Sequence, residues 1–427
     1  MSIKNIGKVS RAQIELNGIT VMAGSNNTGK STIGKVLFCL FNGFYKIDQK
    51  IRRERNYSIN SSLHEMYGEI NYKRSRLGPY QEYSVEEEIL KRKDVYITDK
   101  DRLVDDLRNQ CIQVDKNYKK RLPDIELQNI ADKIIQTLNV SDDEILLKIF
   151  RKQLQDEFKM QINNVHRLDL DSEIMLNIKE KEVGITIRRN ELIEITGKLS
   201  LNNGVTYMDD PFALNGMIAG PNNTLGYILD EGDHRVQLRL KLVARNDEGT
   251  VDRIITERKL EAVFAKINSA CVGDVKKREF MGTELVYQES DSETALEMEN
   301  VSTGIKMFAI LKTLLKNGSL KENSILILDE PEVHVHPEWQ LLFAEVIVLL
   351  QKEFNLYVLL NTHSHYFLEA IDVFSRKYDI SEKCKYYLAE NDGKTAIVTD
   401  VSDNLEKIYY KLARPLQVLE NERYPDV

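Results

Sequence analysis

Residues 24–32 read Gly-Ser-Asn-Asn-Thr-Gly-Lys-Ser-Thr. Two glycines separated by four residues, followed at once by lysine and serine, let successive backbone N–H groups turn inward around phosphate oxygens. In such a loop Gly24, Asn26, Asn27, Thr28, Gly29 and Thr32 line the phosphates. Lys30 reaches the β and γ phosphates, and the Ser31 hydroxyl ligates Mg²⁺. Much later in the chain, Ile325-Leu326-Ile327-Leu328 runs directly into Asp329 and Glu330. A carboxylate at the end of a buried strand is costly unless a cation meets it. Asp329 therefore suits Mg²⁺ held through water, and Glu330, pointing differently, suits polarising an attacking water. A further apolar stretch, Leu356–Leu360, ends in Asn361-Thr362-His363. A histidine there can hydrogen-bond the γ phosphate or that water. The set predicts ATP and Mg²⁺ as cofactors, with hydrolysis of the γ phosphate as the reaction.

Val301-Ser302-Thr303-Gly304 stands just before a helical stretch, which makes Ser302 and Gly304 candidates for a second phosphate contact at a helix N-terminus. His365 is a weaker candidate than His363. His334 and His336, two residues apart, lack the helical carboxylate–histidine pattern of a metal pair and read as loop residues.

Three kinds of element must position these groups. A short buried strand over 18–23 precedes the glycine loop, and a helix carrying Ile33, Val36, Leu37 and Leu40 follows it. The late stretches 325–328 and 356–360 read as buried strands, and Pro337 opens a helix between them. A helix over 307–316 stops at Asn317-Gly318. Residues 12–16, 174–178, 184–187, 192–195 and 205–208 read as further strands, and weaker ones fall at 385–388 and 396–398, before a last helix over 404–412. Between 45 and 166 polar residues dominate. Leu122-Pro123-Asp124 opens one helix there, and Ser141-Asp142-Asp143-Glu144 opens another with a capping-box pattern. Heptads are not sustained, so no long coiled coil is expected. The clearest helix of the next mixed stretch spans 251–267.

The fold class expected is α/β: a P-loop head with a mixed, largely parallel sheet and an antiparallel β segment, plus a mainly helical insertion. The divisions are 1–45 for the first part of the head, 46–168 for the insertion and 169–222 for the β segment. A mixed helical link follows over 223–284, and 285–427 forms the second part of the head. At 427 residues the chain has room for such a division. A net charge of −8 argues against a protein that coats DNA nonspecifically. Four widely spaced cysteines suit neither zinc nor a disulfide framework and read as a reduced cytoplasmic setting. No stretch approaches the roughly 20 apolar residues of a membrane helix.

Taken in order, the glycine loop, Val301-Ser302-Thr303-Gly304, Leu328-Asp329-Glu330-Pro331-Glu332 with His336-Pro337 soon after, and Thr362-His363-Ser364 resemble the ABC-type ATPases of the SMC, RecF and OLD group. The likeness covers residues 1–45 and 285–427 and extends to the β segment. It is closest to ATPase-only relatives of OLD proteins found in bacterial defence operons. The resemblance implies a head-to-tail homodimer, or a higher oligomer, with two ATP molecules between subunits. Lys30, Ser31, Asp329, Glu330 and His363 would act from one subunit, and Ser302 and Gly304 on the ATP of the other. It also implies control of a protein effector, a nuclease or toxin. In this chain Ile305 replaces the polar last residue of the usual Leu-Ser-Gly-Gly-Gln signature, and no Q-loop glutamine is assigned. The stretch after His365 is too short for the Toprim nuclease domain of OLD proteins. Rival readings are a DNA-repair clamp of RecF or SMC type, a transporter's nucleotide-binding subunit and a nonhydrolysing ATP sensor. Arg52-Arg53-Glu54-Arg55 and Lys119-Lys120-Arg121 keep nucleic-acid contact open.

Lys30→Ala is expected to abolish ATP binding. Calorimetric titration of the variant with ATP should show no binding heat where the unaltered chain shows saturation.

Overall fold

The computed structural model describes residues 1–70, 85–114, 122–219, 232–244, 250–279, 283–333 and 335–423. Its described strands are β1 (Ser2–Ile6), β2 (Val9–Gln13), β3 (Ile19–Gly24), β4 (Ser172–Ile178), β5 (Lys181–Arg188), β6 (Glu191–Thr196), β7 (Val205–Met208), β8 (Met217–Ala219), β9 (Asp274–Glu279), β10 (Thr283–Gln288), β11 (Leu296–Glu297), β12 (Ile325–Asp329), β13 (Tyr357–Thr362), β14 (Cys384–Asp392) and β15 (Thr395–Asp400). The helices are α1 (Lys30–Phe44), α2 (Ile47–Ile70), α3 (Val85–Lys91), α4 (Lys93–Thr98), α5 (Lys100–Val114), α6 (Asp124–Asn139), α7 (Asp142–Phe158), α8 (His234–Val243), α9 (Thr250–Lys259), α10 (Glu261–Ala270), α11 (Thr303–Lys316), α12 (Pro337–Phe354), α13 (His365–Lys377) and α14 (Glu406–Arg423). None of the described helices is long and apolar enough to cross a membrane.

The chain divides into two compact units, Met1–Tyr45 with Phe150–Val427, and Lys46–Ile149. The larger unit is an α/β fold on a mixed sheet ordered β6-β5-β4-β1-β2-β15-β14-β3-β13-β12-β7. From β14 to β7 every pairing is parallel. From β6 to β2 every pairing is antiparallel. In a smaller sheet β8, β9 and β11 each pair antiparallel with β10.

The parallel strands are apolar runs because both faces are covered. All of β3 and β7 is buried, as are Ile325–Leu328 of β12. On one face Ile19, Val21, Leu326, Leu328, Val358 and Leu360 join a core with Phe308 of α11, Phe343 of α12 and Phe367 of α13. On the other lies α1, where a Cβ placed on Gly34 would stand 3.0 Å from the Tyr207 hydroxyl and 3.3 Å from Ile327 Cγ2. Alternation then assigns faces along each strand. Ile325, Ile327 and Asp329 share the α1 face, as do Leu359 and Asn361.

The smaller unit is helical and has its own core, in which Ile59, Leu63, Leu103, Leu107, Leu127 and Ile134 pack together. Its buried Arg55 donates to Asp142 Oδ1 and to the Val140 carbonyl, both at 2.6 Å, and Arg52 pairs with Glu87 at 3.2 Å. Both basic residues are thus engaged by acids of their own unit. Lys119-Lys120-Arg121 lies outside the described residues. At Ser141 the capping box is closed in both directions: Ser141 N–H donates to Glu144 Oε2 at 2.8 Å, and Glu144 N–H donates to Ser141 Oγ at 3.2 Å.

Several expectations change. The compact helical unit ends at Ile149, not 168: from Phe150 on, α7 belongs to the larger unit, where the Phe150 ring packs tilted against Phe44 at 4.5 Å and 51°. The helix expected over 251–267 is two, α9 and α10, meeting at Leu260. Residues 223–284 also contain β9, which pairs with β10. Residues 205–208, grouped with the antiparallel segment, instead form β7 at the edge of the parallel core. β1, short and interrupted by Lys4 and Asn5, was not expected. It joins β4 to β2.

Gly43→Ala should lower stability by about 1–3 kcal/mol, the usual range for overpacking. The added Cβ would fall 2.4 Å from Phe150 Cζ. Thermal melts of Gly43→Ala and of Gly43→Ala with Phe150→Leu test this, and the double variant should recover part of the loss.

Candidate functional site

The C-terminal ends of β3, β13 and β12 stand level: Thr362 pairs with Ala23 and Asn361 with Asp329. Open α/β sheets bind ligands at these ends. Asp329 does not lie on the strand next to β3. β13 runs between, and it puts Asn361 next to Asp329.

After β3 the chain makes the glycine loop. Gly24 has φ 156°, and a Cβ there would meet the Ala389 carbonyl oxygen at 2.3 Å. Gly29 has φ 81°, and a Cβ there would meet Val9 Cγ2 at 2.6 Å. Neither position tolerates a side chain, so the loop keeps its shape by excluding them. Thr28 Oγ1 donates to the Ser25 carbonyl at 2.8 Å and is buried, while Asn26, Asn27 and Ser31 are exposed. α1 starts with no side-chain cap and no acid in its first turn. Its unsatisfied N–H groups and positive dipole end are thereby left for an anion, as a phosphate requires.

Lys30 is 4% exposed. Its Nζ donates to the carbonyls of Gly24 at 2.9 Å and Ser25 at 3.0 Å and stands 3.9 Å from Glu330 Oε1. Burial draws its pKa down, and Glu330, Asp329 and Glu332 oppose that. Glu330 follows the strand in the left-handed region, φ 51°. This conformation costs a non-glycine residue roughly 1–3 kcal/mol and is concentrated at working sites. It turns the carboxylate back toward the loop, where Oε1 also lies 3.3 Å from His363 Nδ1. Lys30, Glu330 and His363 are therefore brought together.

Asp329 accepts from Asn361 Nδ2 at Oδ1 and from the Tyr207 hydroxyl at Oδ2, each at 2.9 Å. Ser31, Asp329 and Glu330 line one cleft of about 450 Å³, together with Lys35, His234 and Met307. A hydroxyl beside a carboxylate is the oxygen set Mg²⁺ takes when phosphates and water complete its shell. Among the described residues no group of three or more His, Cys, Asp or Glu could hold a metal. A larger cavity of about 1500 Å³ touches Ile325 and Tyr357, which begin β12 and β13. It therefore lies at the far end of the strands from Asp329.

Glu332, 4% exposed, ties the two strand ends together. Its Oε1 accepts from Thr362 Oγ1 at 2.6 Å, His363 N at 3.0 Å and Ser364 N at 3.2 Å. Burial raises its pKa against those hydrogen bonds.

The Val301–Gly304 segment contributes no lining residue to that cleft. Ser302 caps α11, its Oγ accepting from Ile305 N at 3.4 Å. Met307 lines the cleft, whereas Ser302 and Gly304 do not. His336 precedes α12 without a side-chain cap, and His365 pairs with Glu369 at 3.6 Å within α13. His334 lies outside the described residues.

Sequence reading missed Tyr207, Asn361 and Glu332, and an ion cluster behind them. His234 Nδ1 lies 2.7 Å from Glu157 Oε1 and Nε2 lies 3.0 Å from Asp209 Oδ2. Arg235 donates twice to that same Asp209 oxygen, at 2.8 and 2.6 Å. Burial alone would push the His234 pKa down, but its ion pair with Asp209 and its hydrogen bond with Glu157 lift it to about 9. Burial pulls Asp209 the other way, yet His234 and Arg235 hold it at about 2.

The family described as an AAA ATPase domain matches residues 1–368 of this chain. Among solved structures, the SmcHead bound to the C-winged helix domain of ScpA is similar at 11% identity and a TM-score of 0.44, over 95% of this chain and 98% of that one. The SMC head domain from Thermotoga maritima follows at 10% and 0.36, over 94% and 97%. An Smc head domain with an extended coiled coil bound to the C-terminal domain of ScpA, derived from Pyrococcus furiosus, follows at 12% and 0.34, over 99% and 98%.

The His234 cluster should make stability fall in alkali. Its folded pKa lies above the ordinary value of about 6.5, so its contribution is complete below that pH and is lost as pH rises through about 9. The loss is on the order of 3 kcal/mol. Urea midpoints measured from pH 6 to 10 should drop across that window for the native chain and much less for His234→Gln.

Proposed function

Because the chain belongs to the AAA ATPase domain family, we propose that it works as an ATP-driven switch. Two copies close on two nucleotides and control a partner protein. ATP lies in the loop of residues 24–32, and Mg²⁺ is held by Ser31, Asp329 and the phosphates. The metal, when bound, draws negative charge from the phosphate oxygens. Lys30 supports the β and γ phosphates. Glu330 orients the attacking water and takes its proton, and His363 holds Glu330 and the γ phosphate in register. The observation that carries this reading is the convergence of Lys30, Glu330 and His363 at the ends of β3, β12 and β13.

Closure around ATP uses Ser302 and Gly304, at the N-terminus of α11, against the nucleotide of the other copy. Support comes from the large apolar side chains left exposed after the catalytic strands, Val333 at 49% and Tyr366 at 63%. A second copy would cover such residues. The insertion, with a core of its own, supplies a body for the partner, which we take to be a nuclease or toxin in bacterial anti-phage defence. A DNA clamp of the RecF or SMC kind uses the same head.

Glu330→Gln should bind ATP, lower turnover by about 100-fold or more, and accumulate as a dimer in ATP by light scattering. Undiminished turnover would remove Glu330 from its role. Affinity capture with this variant in ATP should bring down a defined effector. DNA-stimulated turnover that fades with salt would favour the clamp instead.

A further inference from the structure

Asp329 is held from both neighbouring strands. Asn361 of β13 reaches one oxygen and Tyr207 of β7 the other. Strand register explains the second contact. Tyr207 pairs with Ile327, so its side chain leaves the sheet on the face shared with Ile327 and, two residues on, with Asp329. The tyrosine is 1% exposed and enclosed on three sides. His234 stacks on its ring at 4.1 Å and 22°, Phe38 packs at 6.3 Å, and a Cβ on Gly34 of α1 would press on the hydroxyl at 3.0 Å. A ring so confined presents its hydroxyl at one point. The phenol has a single proton to give. Given to Oδ2, it fixes the carboxylate's rotation and leaves the remaining lone pairs toward the cleft that Ser31 shares.

We infer that Tyr207 is a positioning residue for the metal: through its hydroxyl it sets the Asp329 carboxylate in the orientation that Mg²⁺ requires, with His234 and Gly34 setting the phenol. The inference rests on the reading of Asp329 as the metal-binding carboxylate. Second partners of this kind govern how well a ligand binds its metal as well as where it points. A tyrosine serving only to fill the core would contribute to stability and leave metal affinity alone.

The test is Mn²⁺ binding to the full-length chain saturated with ADP, followed by electron paramagnetic resonance, beside calorimetric ADP binding without metal. Tyr207→Phe keeps the buried ring and removes only the hydroxyl. It should weaken Mn²⁺ binding by about 10-fold or more while metal-free ADP binding stays within about two-fold. Gly34→Ala keeps the hydroxyl and displaces it, in a helix where alanine is otherwise favoured, and should weaken Mn²⁺ in the same direction. Asp329→Ala separates the two claims. If Asp329→Ala weakens Mn²⁺ while both other variants bind it as the native chain does, or if they lose only melting temperature, Tyr207 is a core residue and the inference falls. If Asp329→Ala binds Mn²⁺ unchanged, the assignment of Asp329 falls first and takes the inference with it.

Discussion

An ammonium group almost withdrawn from water sits where three strand ends meet. Lys30 gives hydrogen bonds to the carbonyls of Gly24 and Ser25, but carbonyl dipoles alone offset little of the cost of burying a charge. The remainder comes from Asp329, Glu330 and Glu332, whose charges oppose the fall in its pKa. The dependence runs both ways. Three carboxylates within four residues of sequence would repel one another without a cation among them. Lysine and acids lie far apart in the chain, so only the sheet can keep them adjacent. Its buried parallel core, from β14 to β7, serves that alignment.

The two faces of that core divide the work. On the α1 face, Asp329 and Asn361 stand level on β12 and β13, and Tyr207 of β7, level with Ile327, reaches Asp329 from two residues back, below the helix that carries Lys30 and Ser31. On the other face Thr362 meets Glu332 above the core built by α11, α12 and α13. Adjacent residues of β13 therefore act differently: Asn361 grips the acid at the cleft, and Thr362 ties down the turn that follows β12. A shift of register by one residue would exchange the faces and separate both pairs.

The cleft was legible in the sequence where chemistry and backbone coincide. The glycine loop requires a strand before it and a helix after it, and both are present. The runs ending at Asp329 and His363 had to be buried strands because they are apolar throughout and too short for helices. What could not be read was which strand lies beside which. That order inserts β13 between β3 and β12, and it makes Asn361 and Tyr207 neighbours of Asp329. Tyr207 in particular belongs to a four-residue strand whose pairing depends on contacts more than a hundred residues distant. His234 likewise shows nothing in its local sequence of the acids, Glu157 and Asp209, that enclose it. The join at Phe150 escaped for a related reason: α7 is one unbroken helical pattern, and the change of packing partner along it leaves no trace in its periodicity.

Glu332 gathers three donors from consecutive residues, Thr362, His363 and Ser364, on a single oxygen, while its other oxygen is buried without a hydrogen bond among the described residues. A joint of that kind has no slack. The turn after β12 and the loop after β13 must travel as one piece, because sliding either alone would strand several polar groups away from water at once. Whatever displaces the histidine therefore also drags the acidic turn. The two segments are geared to each other, so a displacement at one would reach the other as one stroke instead of a graded sag.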